Sequence, residues 1–125
     1  MNEMDPPTIA RNFLTLVIEG KIDEAYERYI DIKGKHHNAY FSAGFENLKK
    51  AMKENEAQFP HKQFTIHHLI GERDMVVAHS HLIMKKGEVG LVTIHMFRIE
   101  GDKIVELWDC GQQLPADSPN TDGLF

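Results

Sequence analysis

Apolar residues recur along this chain at two different periods, and the change of period divides it. Ile9, Phe13, Leu16 and Val17 keep helical spacing, and Asp5-Pro6-Pro7-Thr8 just ahead of them is helix-start chemistry, with Thr8 as cap or a proline in the first turn. Gly20 ends that helix. Residues 22–30 predict a second, with Ile22, Ala25, Tyr26 and Tyr29 on its buried stripe, dying out near Asp31. Residues 45–59 predict a third, carrying Phe45, Leu48, Met52 and Phe59 on one stripe and stopped by Pro60. Between the second and third helices, residues 33–44 show no clear period and read as an irregular segment closing over the core.

After Pro60 the period moves towards two. Residues 63–71 predict a strand with Phe64, Ile66, His68 and Ile70 on one face and Thr65, His67 and Leu69 on the other, ended by Gly71-Glu72-Arg73-Asp74. Residues 75–85 predict the next, turning at Lys86-Gly87-Glu88, and Val89 begins a hairpin whose turn is Glu100-Gly101-Asp102-Lys103. Strict alternation in that hairpin puts Thr93, His95, Phe97 and Ile99 on one face, with Val105, Leu107, Asp109 and Gln113 on one face of the partner strand. The opposite face carries Arg98, Glu100, Glu106 and Trp108, so charge places it nearer solvent. Helices first and a four-strand antiparallel meander second predict an α+β fold in which one sheet wraps the helices. The last twelve residues are turn chemistry ending in Leu124-Phe125, an apolar end that docks rather than dangles.

Composition narrows the function. At 125 residues and 42% hydrophobic, the chain suits one domain over residues 1–125, burying roughly two-thirds of its unfolded surface. A net charge of −5 with no clustered Lys or Arg argues against nucleic acid as a partner. An acidic start and no apolar run near ~20 residues argue against a signal peptide or membrane span, which makes a cytoplasmic protein the expectation. The lone Cys110 fits a reducing compartment. No phosphate loop or dinucleotide fingerprint is present, so no organic cofactor is expected.

Candidate chemistry rests on carboxylates and imidazoles in greasy settings. Asp109, after Trp108 on a buried strand, is placed where apolar surroundings favour a general acid/base near neutral pH, or else is a strand-end carboxylate bonded to a loop. His95 points to the same face and could share or orient its proton, or be a satisfied core histidine. His79 and His81 share a face of their strand, although parity alone leaves open which one. His37, Asn38 and Tyr40 could close a pocket wall, with Phe97 and Gln113 lining it; His36 reads as a solvated loop residue. His67 and His68 point to opposite faces, so at most one reaches a pocket. Eight histidines also raise a metal reading, in which His37, His79, His81, His95 and Asp109 converge, although no paired-Cys or HExxH motif supports it.

Three helices followed by a curved meander, His37-Asn38 after the second helix, Phe97-Arg98, Gly101 to Ile104, Glu106, Trp108-Asp109 and Gln112 together resemble the SnoaL-like polyketide cyclase branch of the NTF2-like superfamily. The ending Ser118 to Phe125 resembles that of one bacterial SnoaL-like subgroup. The resemblance implies an NTF2-like cone, three N-terminal helices packed in a curved sheet around a ligand pocket, commonly in a homodimer. It also implies an acidic residue on the last strand as the acid/base for an aldol closure, a place that Asp109 holds. Ala39 departs from the family's His-Asn-Pro motif, and His95 stands where many relatives of that subgroup carry an acid. The leading expectation is therefore a lyase or isomerase acting on a small hydrophobic carbonyl compound, with Asp109 and His95 catalytic and His37, Asn38, Tyr40, His79, His81, Phe97 and Gln113 binding substrate. The alternatives are a non-catalytic ligand-binding or dimerisation module and a histidine-bound metal protein.

Overall fold

The structure, a computed structural model, describes residues 4–125. Helices α1 (Pro6–Ile18) and α2 (Ile22–Tyr29) come first, then strand β1 (Ile30–His36), helix α3 (Phe45–Gln58) and strands β2 (Gln63–Glu72), β3 (Met75–Ile83), β4 (Leu91–Glu100) and β5 (Lys103–Gln113). Thr8 does not cap α1, since Asp5 Oδ1 accepts from the Thr8 backbone N–H at 2.9 Å, but prolines do take the first turn as expected: Pro6 and Pro7 stand where no intrahelical N–H is needed.

The five strands lie in the order β1-β5-β4-β3-β2. The four predicted antiparallel strands form the meander, but the irregular reading of residues 33–44 is corrected at its start. The chain leaves α2 directly into β1, which pairs parallel to β5 through Ile30 with Ile104 and His36 with Leu107. Its pattern was hard to see because β1 is an edge strand, buried only at Ile30 and His36 with exposed or half-buried positions between them. Gly34 belongs to that pairing: a Cβ there would meet the Val105 carbonyl oxygen at 2.2 Å and the Phe45 ring at 2.8 Å.

Two bulges set which side chains face the helices. One falls between Ile66 and His68, so Phe64 and Ile66 face inward, the parity then flips, and Leu69 faces inward while His68 and Ile70 face out. That corrects the strict alternation expected for this strand. The other bulge falls opposite Arg98 and Ile99, which lets the neighbours Ile104 and Val105 both be buried.

The concave face of the sheet holds the core. Phe97, Phe13, Tyr26 and Phe45 form a chain of edge-to-face ring contacts with centroids 6.2, 5.7 and 6.3 Å apart, tying β4 to all three helices. Val76, Ala78, Ile104 and Leu107 complete it from the strands. On the convex face the tail returns, and Phe125 stacks on His67 and His81 with centroids 4.5 Å away in each case. No helix among the described residues is long and apolar enough to cross a membrane.

Candidate active site

A cavity of about 270 Å³ lies between the concave face and the helices. Its walls are mostly apolar: Leu14, Val17 and Ile18 from α1, Leu48, Ala51 and Met52 from α3, and Phe64 and Leu82 from β2 and β3. Asn38, Asn55, Lys62, His95 and Asp109 supply its polar groups. A mostly apolar hollow with a few convergent polar side chains is the usual form of a small-molecule site.

Strand pairing brings Asp109 and His95 together, since they stand directly opposite each other on β5 and β4. Cross-strand neighbours of this kind have Cβ atoms about 4.5–5.5 Å apart. The parallel pairing of β1 then delivers Asn38. His36 is level with Leu107, the His37 N–H donates to the Leu107 carbonyl at 2.8 Å, and the next residue emerges beside Asp109. There the Asn38 side-chain NH₂ donates to Asp109 Oδ2 at 3.0 Å.

Asn38 is itself held from both sides. Its Oδ1 accepts from the Tyr40 backbone N–H at 2.9 Å, and its own backbone N–H donates to His36 Nδ1 at 3.1 Å. Since Nδ1 accepts, the His36 ring carries its hydrogen on Nε2, which donates to the Ser42 carbonyl at 2.8 Å. His36 is thus only 7% exposed, not the solvated loop residue expected, because it fastens the turn that presents Asn38.

The second oxygen of Asp109 is left over. Among the described residues, Asp109 Oδ1 and His95 Nδ1 are both buried without a hydrogen-bond partner, a state that few polar atoms in folded proteins occupy. Burial pushes the His95 imidazole below its ordinary pKa, and the charge of Asp109 pulls it back only in part, so the ring is neutral at pH 7. The phenol of Tyr26 is pushed up, first by burial and then by the Asp109 charge, and it donates to the Met52 sulfur at 3.3 Å. Asn55 and Lys62 are the polar lining groups that sequence reading missed. The Lys62 side chain is 6% exposed, bonded to Glu56 and the Phe59 carbonyl, on the cavity wall. Nothing in the helical stripe or in the loop after Pro60 distinguished either residue as polar lining.

The remaining expected site residues sit elsewhere. His37 is on the convex side, stacked on Trp108 at 5.1 Å and 2.6 Å from Glu106, whose carboxyl it holds below the usual range. Asn38 is the next residue of the chain, and alternation carries the two side chains to opposite sides. Tyr40 is 90% exposed, since only its backbone serves the turn. His79 and His81 follow the outward parity of Val77: His79 Nδ1 meets His68 Nδ1 at 2.9 Å, and His81 Nε2 meets the Val89 carbonyl at 2.7 Å. Phe97 is fully buried in the core behind His95 rather than on the cavity wall, and Gln113 is exposed at the strand end. Among the described residues, no three His, Cys, Asp or Glu side chains are grouped to hold a metal ion, because the histidines are divided between the two faces.

Solved structures of similar shape have low sequence identity. An NTF2-like protein of unknown function from Cytophaga hutchinsonii superposes with a TM-score of 0.72 at 12% identity, covering 89% of this chain and 93% of that one. A SnoaL-like polyketide cyclase from Agrobacterium tumefaciens gives 0.70 at 16%, with 87% and 93% covered. TsrD from Streptomyces laurentii gives 0.66 at 19%, with 87% and 91% covered. At these identities the likeness shows the fold alone. A search of curated proteins finds no match. The sequence itself is matched over residues 8–117, from the first turn of α1 to beyond the end of β5, by the SnoaL-like polyketide cyclase family, and the chain belongs to that family.

Proposed function

We propose that this protein is a cofactor-independent lyase or isomerase that removes or returns a proton α to a carbonyl in a small hydrophobic compound, as an aldol-type ring closure requires. The observation that carries this reading is the divided state of Asp109: Oδ2 is held by Asn38 while Oδ1 is buried and unpartnered beside an apolar cavity. A carboxylate fixed by one oxygen keeps the other for a proton, which is the geometry of a positioned general base. Such a base supplies about 10²–10⁴-fold, so an enzyme of this kind also needs a donor for the oxygen on which charge develops.

His95 is that donor in this reading. A neutral imidazole keeps one N–H to give, and in a desolvated site it meets an enolate oxygen without a proton having to leave a cation first. The substrate's carbonyl oxygen lies towards β4 and its α-carbon towards β5. The apolar wall from α1 and α3 excludes water and strengthens both interactions.

The test is α-hydrogen exchange of simple aryl ketones in D₂O, followed by NMR. The wild-type protein accelerates exchange, Asp109→Asn removes the acceleration with the fold intact by circular dichroism, and His95→Gln lowers it by about 10²–10³-fold. Exchange that persists undiminished in Asp109→Asn refutes the assignment of the base.

A further inference from the structure

Two more buried side-chain atoms lack partners among the described residues, and both lie on the concave face next to His95: Ser80 Oγ and Thr93 Oγ1. Ser80 is 0% and Thr93 7% exposed. They stand opposite each other on β3 and β4, flanked by Ile66 on β2 and Gly111 on β5, and the next inward position on β4 is His95. The buried, unpartnered side-chain polar atoms among the described residues thus form a single patch across three neighbouring strands.

Resting on the function proposed above, we infer that Ser80 and Thr93 form a subsite for a second oxygen of the same substrate. Residues i and i+2 of one strand are separated by about 6.6–6.8 Å. A ligand whose reacting carbonyl meets His95 therefore reaches the hydroxyl pair with an oxygen about one benzene ring away. The neighbours Ala78, Leu82 and Leu91 along these strands are apolar, and Lys62, the cation on the cavity wall, is already paired with Glu56, so no free positive charge is present among the described residues there to hold an anion. A hydroxyl can give and accept, and two of them in an uncharged floor select a neutral carbonyl or hydroxyl oxygen.

Phe64 covers this floor. Its strand position pairs with Leu82 and that of His95 with Ala78, so Ser80 lies midway between them on β3. The Phe64 and His95 rings meet edge to face above it with centroids 6.2 Å apart. Because Phe64 also lines the cavity, from an edge strand, rotation of its ring joins the hydroxyl pair to the space in front of Asp109. The subsite is sealed without ligand and opens as ligand enters.

The experiment compares acetophenone with 4-hydroxyacetophenone, whose two oxygens are separated by the required ring, in NMR titrations of the full chain and of the Ser80→Ala, Thr93→Val double variant. The wild-type protein binds the hydroxylated ketone about 3–10-fold more tightly, and the double variant binds the two equally. Because the hydroxyls have no partners to lose, the double variant melts at or above the wild-type temperature. Equal binding of both ketones by the wild-type protein, a preference that survives in the variant, or a lowered melting temperature overturns the subsite. If neither ketone binds, the cavity reading fails with it, whereas equal binding of both removes the subsite alone.

Discussion

On the convex face of the sheet, His68 and His79 bond to each other, His81 reaches the Val89 carbonyl, and His37 meets Glu106. On the concave face, His95 and Asp109 stand side by side, and each keeps one buried atom without a partner among the described residues. The same residue types are therefore in opposite states on the two faces. Where water and a twisted, exposed surface are available, imidazoles pair off and become ordinary surface groups. Beneath the helices, polar atoms can be satisfied only by what is built beside them, so an unfilled valence there points to a ligand.

Carboxylates of β5 give the sharpest way to break this comparison. Asp109→Asn abolishes ketone exchange, a loss of about 10²–10⁴-fold, while Glu106→Gln, three residues away on the other face, leaves the rate unchanged. Equal losses would mean that the face does not matter. A smaller effect comes from Asn38→Ala, which frees Oδ2 of Asp109 and removes a bond to a charged group, lowering exchange about tenfold without unfolding the protein. Since His36 acts only through the turn that presents Asn38, His36→Ala should lower the rate in the same way and add nothing when combined with Asn38→Ala.

Acid stability separates the faces next. His95 is held neutral by burial, so its folded-state pKa is below the ordinary value near 6.5. Between those two values the unfolded chain binds more protons than the folded one, and stability falls as pH falls through that window and is level above it. Urea midpoints at about pH 5 and about pH 7 should differ less in His95→Gln than in the wild-type protein; an unchanged difference would place the titration elsewhere. The smallest effect belongs to His81→Ala on the convex face. It should change stability by no more than about 0.5 kcal/mol and leave exchange untouched, read by urea denaturation and the same NMR assay.

How much of this was legible in the chain depends on the length scale of the signal. Helical stripes in α1, α2 and α3 and alternation in β3, β4 and β5 are local and repeat, and the turn residues between them are explicit. The inward parity of His95 and Asp109 followed from the same alternation. His79 and His81 were ambiguous because the two faces of β3 are nearly equal in hydropathy, Val76, Ala78 and Leu82 against Val77 and Ile83. His37 and Asn38 were read together because they are adjacent, although adjacency in an extended chain separates side chains. The bulge at His67 erased the expected face of His68 and Ile70, and nothing local announces a bulge.

Sequence alone thus determined the order and type of most elements, the family resemblance and the pair of residues at the centre of the proposed chemistry, because each of these depends on spacing within a few residues. Tertiary structure decided the rest. The pairing of β1 with β5 spans some seventy residues of chain, and it alone carries Asn38 to Asp109 and buries His36. Which polar atoms would find partners, and which would be left without one beneath the helices at Asp109, His95, Ser80 and Thr93, depended on groups brought from distant segments. No pattern along a chain encodes the absence of a neighbour, since that is a property of the packed molecule.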